Sequence, residues 1–329
     1  MAIETIAVVG AGAWGTALAQ TAARAGRKVV LRARDPALVA AIEQRRANPR
    51  YLPEIALDPT IRATTDLGEV AAADAALLAV PAQTVRAVCR ELPDLKTLVI
   101  CAKGFETATG ARLSQVVAEE CPASGCAVLS GPNFAGEVAL GLPAAATLGC
   151  ADAALGRDLA EALSSGSFRA YWTEDTIGVE VGGALKNVLA IAAGIVAGKG
   201  LGENARAAII TRGLAELARL GEALGGRRET MMGLSGLGDL VLTASSLTSR
   251  NMAFGNAIGQ GADPQALRRA PGALVEGLFT AGAVARLAAG HSLEMPISAA
   301  VDAILEGRLD IEEALERLMR RPIRSEAQR

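Results

Sequence analysis

Ile3-Glu4-Thr5-Ile6-Ala7-Val8-Val9-Gly10-Ala11-Gly12-Ala13-Trp14-Gly15 is an apolar run that passes directly into G-x-G-x-x-G, and Thr16 to Ala25 continues it with small residues at helical spacing. In such a motif Gly10 permits the tight turn out of a strand, Gly12 lets backbone approach a pyrophosphate, and Gly15 lets the new helix pack on the sheet. The helix N-terminus then faces the anion with free N–H groups. A Gly-rich turn alone also serves purely structural ends; the strand before it and the helix after it select dinucleotide binding.

Outward from this motif, short apolar runs alternate with helical segments as far as about residue 172. That pattern predicts an α/β fold with a mostly parallel sheet covered on both faces. Strands are expected near 4–9, 28–32, 61–64, 74–80, 96–101, 126–130, 144–149 and 167–172, more than the six of a minimal doubly wound sheet. Asn48 to Pro59 carries Pro49, Pro53 and Pro59 and reads as a surface loop leaving the regular winding.

After Trp172 the pattern changes to long Ala, Leu and Ile segments without a further convincing strand. Helices are expected near 176–198, 203–224, 250–260, 277–289, 296–306 and 311–320. The division is therefore a Rossmann-type, doubly wound dinucleotide-binding domain over 1–172 and an all-helical substrate-binding domain over 173–329. Thr173 is the expected N-cap at the boundary, with Glu174 and Asp175 in the first turn. The polar tail after Arg321 is expected to fray.

Composition narrows the partners. With 329 residues the chain suits two cores, and 51% hydrophobic with only 3% aromatic residues means interiors of Ala, Leu, Val and Ile. The net charge of −2 is spread over interspersed acids and bases, so no basic face tracks nucleic acid. Cys89, Cys101, Cys121, Cys126 and Cys150 read as reduced, mostly buried thiols, and a single histidine, His291, argues against a metal site. No cation precedes the apolar N-terminal run, unlike a signal peptide, and Val188 to Gly198 is too short to span a bilayer. A soluble, intracellular protein without an integral membrane segment is expected.

A nicotinamide enzyme needs a proton donor beside the carbon that exchanges hydride, usually His, Tyr or Lys. His291 sits in a helix-ending context away from every motif, and neither Tyr51 nor Tyr171 is followed four residues on by lysine. Lys186 is the only cation between Arg169 and Lys199, inside the apolar stretch Gly182-Gly183-Ala184-Leu185-Lys186-Asn187-Val188. It is either a buried lysine tuned for proton transfer, with Gly182 and Gly183 leaving room above it, or one that snorkels to solvent.

Lys103-Gly104-Phe105 and Ser130-Gly131-Pro132-Asn133-Phe134-Ala135 each follow a predicted strand, so both lie where open α/β sheets place ligands. Asp239, in Gly236-Leu237-Gly238-Asp239, either caps a helix or orients Lys186. Thr248-Ser249-Arg250-Asn251 combines a forked donor with a helix start, which suits a phosphate or serves as an ordinary N-cap. At the second strand, Arg32-Ala33-Arg34 stands where NAD-specific folds usually end in an acid, which favours NADPH; Asp35 follows and leaves NADH possible.

Taken in order, Gly10 to Thr16, Ala102 to Phe105, Ser130 to Ala135, Gly183 to Asn187, Gly236 to Asp239 and Ser249 to Asn251 make the chain resemble the bacterial NAD(P)-dependent glycerol-3-phosphate dehydrogenases from residue 3 to about 320. The resemblance implies reversible reduction of dihydroxyacetone phosphate to sn-glycerol 3-phosphate, the glycerophospholipid backbone, by a cytoplasmic homodimer. It implies proton transfer by Lys186. It implies substrate contacts from Lys103, Gly131, Asn133, Asp239, Ser249, Arg250 and Asn251, and cofactor contacts from Ala13, Trp14, Arg34, Lys103, Ala135, Arg250, Leu274 and Glu276. Ala13 and Asn133 replace small hydroxylated residues of many relatives, leaving backbone contacts there. Other readings are a two-domain hydroxy-acid dehydrogenase of the same architecture and a non-catalytic NADP(H) sensor.

Overall fold

The computed structural model describes residues 3–269 and 274–322. Its strands are β1 (Thr5–Val9), β2 (Lys28–Arg32), β3 (Ala47–Asn48), β4 (Leu52–Ala56), β5 (Ile61–Thr64), β6 (Ala75–Leu78), β7 (Thr97–Ile100), β8 (Gly125–Ser130), β9 (Ala144–Gly149) and β10 (Phe168–Thr173). Eight of them form one sheet in the order β10-β9-β8-β7-β6-β1-β2-β5, the eight expected from the apolar runs. All neighbours pair in parallel except β8 and β9. Ile6 and Val8 of β1 enter one core cluster and Ala7 and Val9 the opposite one, so the period of two sorts the strand between two covered faces. The chain winds away from β1 through β2 and β5, then returns to its other side at β6. That reversal places a ligand crevice at the carboxyl ends of β1 and β6.

Asn48 to Pro59 is not a plain surface loop. β3 and β4 pair antiparallel there, and wholly buried Asn48 donates from its amide to Ala11 O (2.9 Å) and Thr16 Oγ1 (2.8 Å). Proline spacing signalled the departure from regular winding but carried no sign that one side chain of the excursion braces the glycine loop.

Beyond β10 the described chain is helical: Thr176–Gly198, Gly202–Ala223, Arg228–Met231, Asp239–Ala244, Arg250–Gly259, Pro264–Arg269, Glu276–Gly290, Pro296–Leu305 and Ile311–Met319, with a π-helical turn at Leu234–Gly238. The turn and the short helices at 228–231 and 264–269 were not anticipated, because so few residues show no period, whereas the helix at 239–244 begins at Asp239, where a helix start was one reading. The cap of the first helix is Asp175, whose Oδ1 accepts from Gly178 N at 2.9 Å; Thr173 ends β10 instead. Apart from Pro322, the tail after Arg321 lies outside the described residues.

Thr176–Gly198, 23 residues with a mean hydropathy of 1.6 in its most apolar window, is long enough to cross a bilayer, so the argument from a short apolar run fails. Burial decides its nature: 89% of that window is enclosed by protein, as befits a helix apolar on all sides at the centre of a helical core. Its nearest companion is Arg250–Gly259. A Cβ on Gly194 would lie 2.2 Å from Met252 O, and one on Gly255 would lie 2.1 Å from Ile191 O. The two backbones touch, which fixes the start of the second helix against the middle of the first.

Candidate active site

At the end of β1, Gly10 adopts φ 112°, and a Cβ there would stand 2.5 Å from Ala79 O. Gly15 brings the Ala13–Arg24 helix so close that its Cβ would lie 1.8 Å from Gly10 O. A Cβ on Gly12 would meet nothing within 4 Å, and this open space beside an uncapped helix start fits a pyrophosphate. Ala13 and Trp14 open the helix, and the buried Nε1 of Trp14 has no hydrogen-bond partner among the described residues. Arg34 is exposed just past β2. The neighbouring Asp35 caps the Pro36–Arg45 helix, accepting from Ala37 N at 2.9 Å.

The loops after β7 and β8 meet the central helix in a cluster of charge. Lys103 Nζ donates to Asp239 Oδ2 at 2.5 Å and to Gly131 O at 2.9 Å. From the other side Lys186 Nζ reaches Asp239 Oδ1 at 3.0 Å and donates to Thr243 Oγ1 at 2.8 Å. Asp239 is 1% exposed and Lys186 8%, so Lys186 does not snorkel to bulk water. Gly182 and Gly183 leave no empty room above it: a Cβ would stand 2.7 Å from Ser235 O at the first and 2.5 Å from Ser130 Oγ at the second. They admit neighbouring chain instead.

Burial pushes the Lys186 ammonium down to about 8, helped by Lys103 and Arg250 and opposed by Asp239. Burial would raise the Asp239 carboxyl, but the two ammonium groups outweigh it and hold the acid below its ordinary value. Two cations on one carboxylate leave a net positive charge in a low-dielectric crevice, with a third cation nearby in Arg250. Such a field favours an anionic substrate.

Around the cluster, several buried polar atoms have no partner among the described residues: Ser130 Oγ, Asn133 Oδ1, Ser235 Oγ and Glu276 Oε2. Asn133 spends its amide N–H on Ala145 O at 3.1 Å. Gly131, at φ 157°, comes so close to β9 that a Cβ would lie 2.8 Å from Ala146 Cα. Ala135 starts the helix after β8, and Glu276 starts another, two residues beyond Leu274. Glu276 Oε1 accepts from Ala82 N at 3.1 Å, which joins the helical region to the segment after β6; burial raises its carboxyl above the ordinary value.

Ser249 is a true N-cap, accepting from Met252 N at 3.2 Å, and Arg250 is exposed at the helix start. Asn251 has its side chain committed, donating to Asn187 Oδ1 and accepting from Gly277 N, both at 2.9 Å. Two residues of the site escaped the sequence reading. Thr243 donates to Asp239 Oδ1 at 3.2 Å and accepts from Lys186; its spacing of four from Asp239 on one helix could have revealed it. Asn187, beside Lys186, carried no local sign of its bond to Asn251.

A family model described as NAD-dependent glycerol-3-phosphate dehydrogenase N-terminus matches residues 5–156, and its C-terminal counterpart matches 175–316. A glycerol-3-phosphate dehydrogenase [NAD(P)+] of Azorhizobium caulinodans is 56% identical over 99% of both chains. One from Rhodospirillum rubrum is 53% identical over 98% of this chain and 94% of its own. A crystal structure of glycerol-3-phosphate dehydrogenase from Coxiella burnetii superposes with a TM-score of 0.91 at 40% identity, over 97% of this chain and 99% of that one. The glycine loop at β1, the lysine-rich crevice and these matches across both halves of the chain agree, and the chain belongs to the NAD-dependent glycerol-3-phosphate dehydrogenase family.

Proposed function

We infer that the protein reduces dihydroxyacetone phosphate to sn-glycerol 3-phosphate, reversibly and with NAD(P)H, as a cytoplasmic homodimer supplying the glycerophospholipid backbone. Residues 1–172 hold the dinucleotide in this reading and residues 173–329 provide most of the substrate site. The observation that carries it is Asp239 held between the ammonium groups of Lys103 and Lys186. When bound, reduced nicotinamide would supply the hydride for the carbonyl carbon. Lys186 gives its proton to the carbonyl oxygen, and Lys103 adds positive charge where an alkoxide develops. Asp239 and Thr243 hold Nζ of Lys186 in line. Arg250 and the first N–H groups of its helix take the phosphate, while Asn251 acts through Asn187 and Gly277 to fix that helix. The test is loss of NADPH absorbance on adding dihydroxyacetone phosphate to purified protein. No turnover would refute the reading, and light scattering of the same sample checks the dimer.

The buried lysine gives a pH expectation with a definite sign. Below about 8 Lys186 carries its proton, so the reduction rate is level there and falls as pH rises through about 8. Oxidation of glycerol 3-phosphate needs the free amine and rises over the same interval. A reduction rate that stays level through that interval would take Lys186 out of the proton path.

Cofactor choice should favour NADPH. The Asp35 carboxylate is engaged by Ala37 N and faces Arg50 at 3.7 Å, whereas exposed Arg34 is free to meet a 2′-phosphate. Arg34→Ala is expected to lower kcat/KM for NADPH on the order of tenfold and leave NADH nearly unchanged. A wild-type preference for NADH would assign selection to Asp35.

A further inference from the structure

Glu180 lies on the central helix six residues before Lys186 and touches none of the cluster, yet it is buried and fully engaged. Oε1 accepts from Ser114 N at 2.7 Å; Oε2 accepts from Ser114 Oγ at 2.6 Å and Arg112 Nη1 at 2.9 Å. Arg112 and Ser114 begin the Leu113–Glu120 helix, at the far end of the loop that leaves β7 and carries Lys103. That loop is closed into a unit. Phe105 and Arg112 form an antiparallel bridge, wholly buried Phe105 enters the helical core, and Glu106 Oε1 accepts from Arg86 Nε at 2.7 Å. Near its start the Lys103 stem packs beside the same helix, where a Cβ on Gly183 would stand in ordinary contact, 3.5 Å from Lys103 Cγ.

The loop that supplies one ammonium group is therefore tied to the helix that supplies the other, at a point about 9 Å along the helix axis from Lys186. Burying a carboxylate is costly, and an apolar residue would serve packing alone at least as well. Fixed geometry is what the three-bond contact adds. We propose that Glu180 is a positioning residue which, by clamping Arg112 and Ser114 to the central helix, sets the separation of Lys103 and Lys186 across Asp239. The proposal rests on the reading that Lys186 transfers the proton.

The test uses the whole enzyme with dihydroxyacetone phosphate and NADPH, with kcat expressed per NADPH-binding site so that unfolded protein does not count. Glu180→Gln, which keeps shape but turns one accepting oxygen into a donor, is expected to lower kcat by about ten- to a hundredfold. Ser114→Ala removes one of the three bonds without touching the core and should lower kcat a few-fold, roughly. NADPH affinity by fluorescence titration stays within about twofold in both, since the glycine loop is braced by Asn48 and not by Glu180. If both variants turn over at the wild-type rate per bound NADPH, even with lowered melting temperatures, Glu180 is a fold residue only and the proposal is overturned. Should Glu180→Gln fail to fold, a wild-type rate in Ser114→Ala overturns it alone. Failure of the wild-type protein to reduce dihydroxyacetone phosphate overturns the functional reading instead.

Discussion

Lys186→Met is expected to lower kcat for dihydroxyacetone phosphate reduction by about 10²- to 10⁴-fold, the usual loss when a general acid is removed, with NADPH affinity held within a few-fold. Methionine keeps an unbranched stem in the apolar stretch and loses only the ammonium group. Fold damage should be small, because Asp239 keeps Lys103 at 2.5 Å and is not left as an unpaired buried carboxylate. Asp239→Asn would be the harsher change, since it strands a buried and a part-buried cation at once. The bonds of Lys186 run to Asp239 and Thr243, whereas the side proposed for the pyrophosphate is built from Gly10, Gly12 and Gly15. Turnover and cofactor binding should thus separate. The measurements are steady-state kcat and a fluorescence titration with NADPH; turnover near wild type would remove Lys186 from the mechanism.

The sheet was legible because its central strands β1, β6 and β7 are short apolar runs buried on both faces, while the outer strands β5 and β10 still read as strands despite exposed Arg62, Arg169 and Tyr171. The failures have local causes. Thr173, Glu174 and Asp175 offered three adjacent capping side chains, and composition could not say which one the β10 hydrogen bonds would leave free. For the hairpin at 47–56, the decisive fact is Asn48 reaching back to Ala11, a contact 37 residues distant. Gly182 and Gly183 signalled space, but only the fold shows Ser235 and Ser130 filling it.

Lys186 was legible as a buried, compensated cation because a lone charge in an apolar helix demands a partner. What compensates it was not. Asp239 was a candidate, but Lys103 as a second partner, 136 residues from Asp239, has no signature in spacing. It follows from two loops converging at the carboxyl edge of the sheet, which strand order alone makes possible. Asn251 illustrates the converse: a side chain named for phosphate binding is spent on Asn187 and Gly277, so its amide works on the protein and only its helix-start N–H would be left for a ligand.

Arg250→Ala should raise KM for dihydroxyacetone phosphate by roughly 10- to 150-fold, because a charge-assisted contact contributes on the order of 1.5 to 3 kcal/mol. Arg250 is exposed at the head of a helix whose backbone is pressed against the central helix at Gly194 and Gly255, so its origin is fixed relative to Lys186. Its charge helps depress the Lys186 ammonium and opposes the burial that raises the Glu276 carboxyl, so it lies within electrostatic reach of both. Phosphate held there would orient the carbonyl toward Lys186, so kcat should fall as well. Arg250→Lys is expected to recover only part of the loss, since lysine keeps the charge and gives up the fork. Unphosphorylated dihydroxyacetone is the control. Its low activity should be nearly indifferent to the substitution, having no phosphate to lose; an equal loss on both substrates would move Arg250 from the phosphate to the cofactor or the fold.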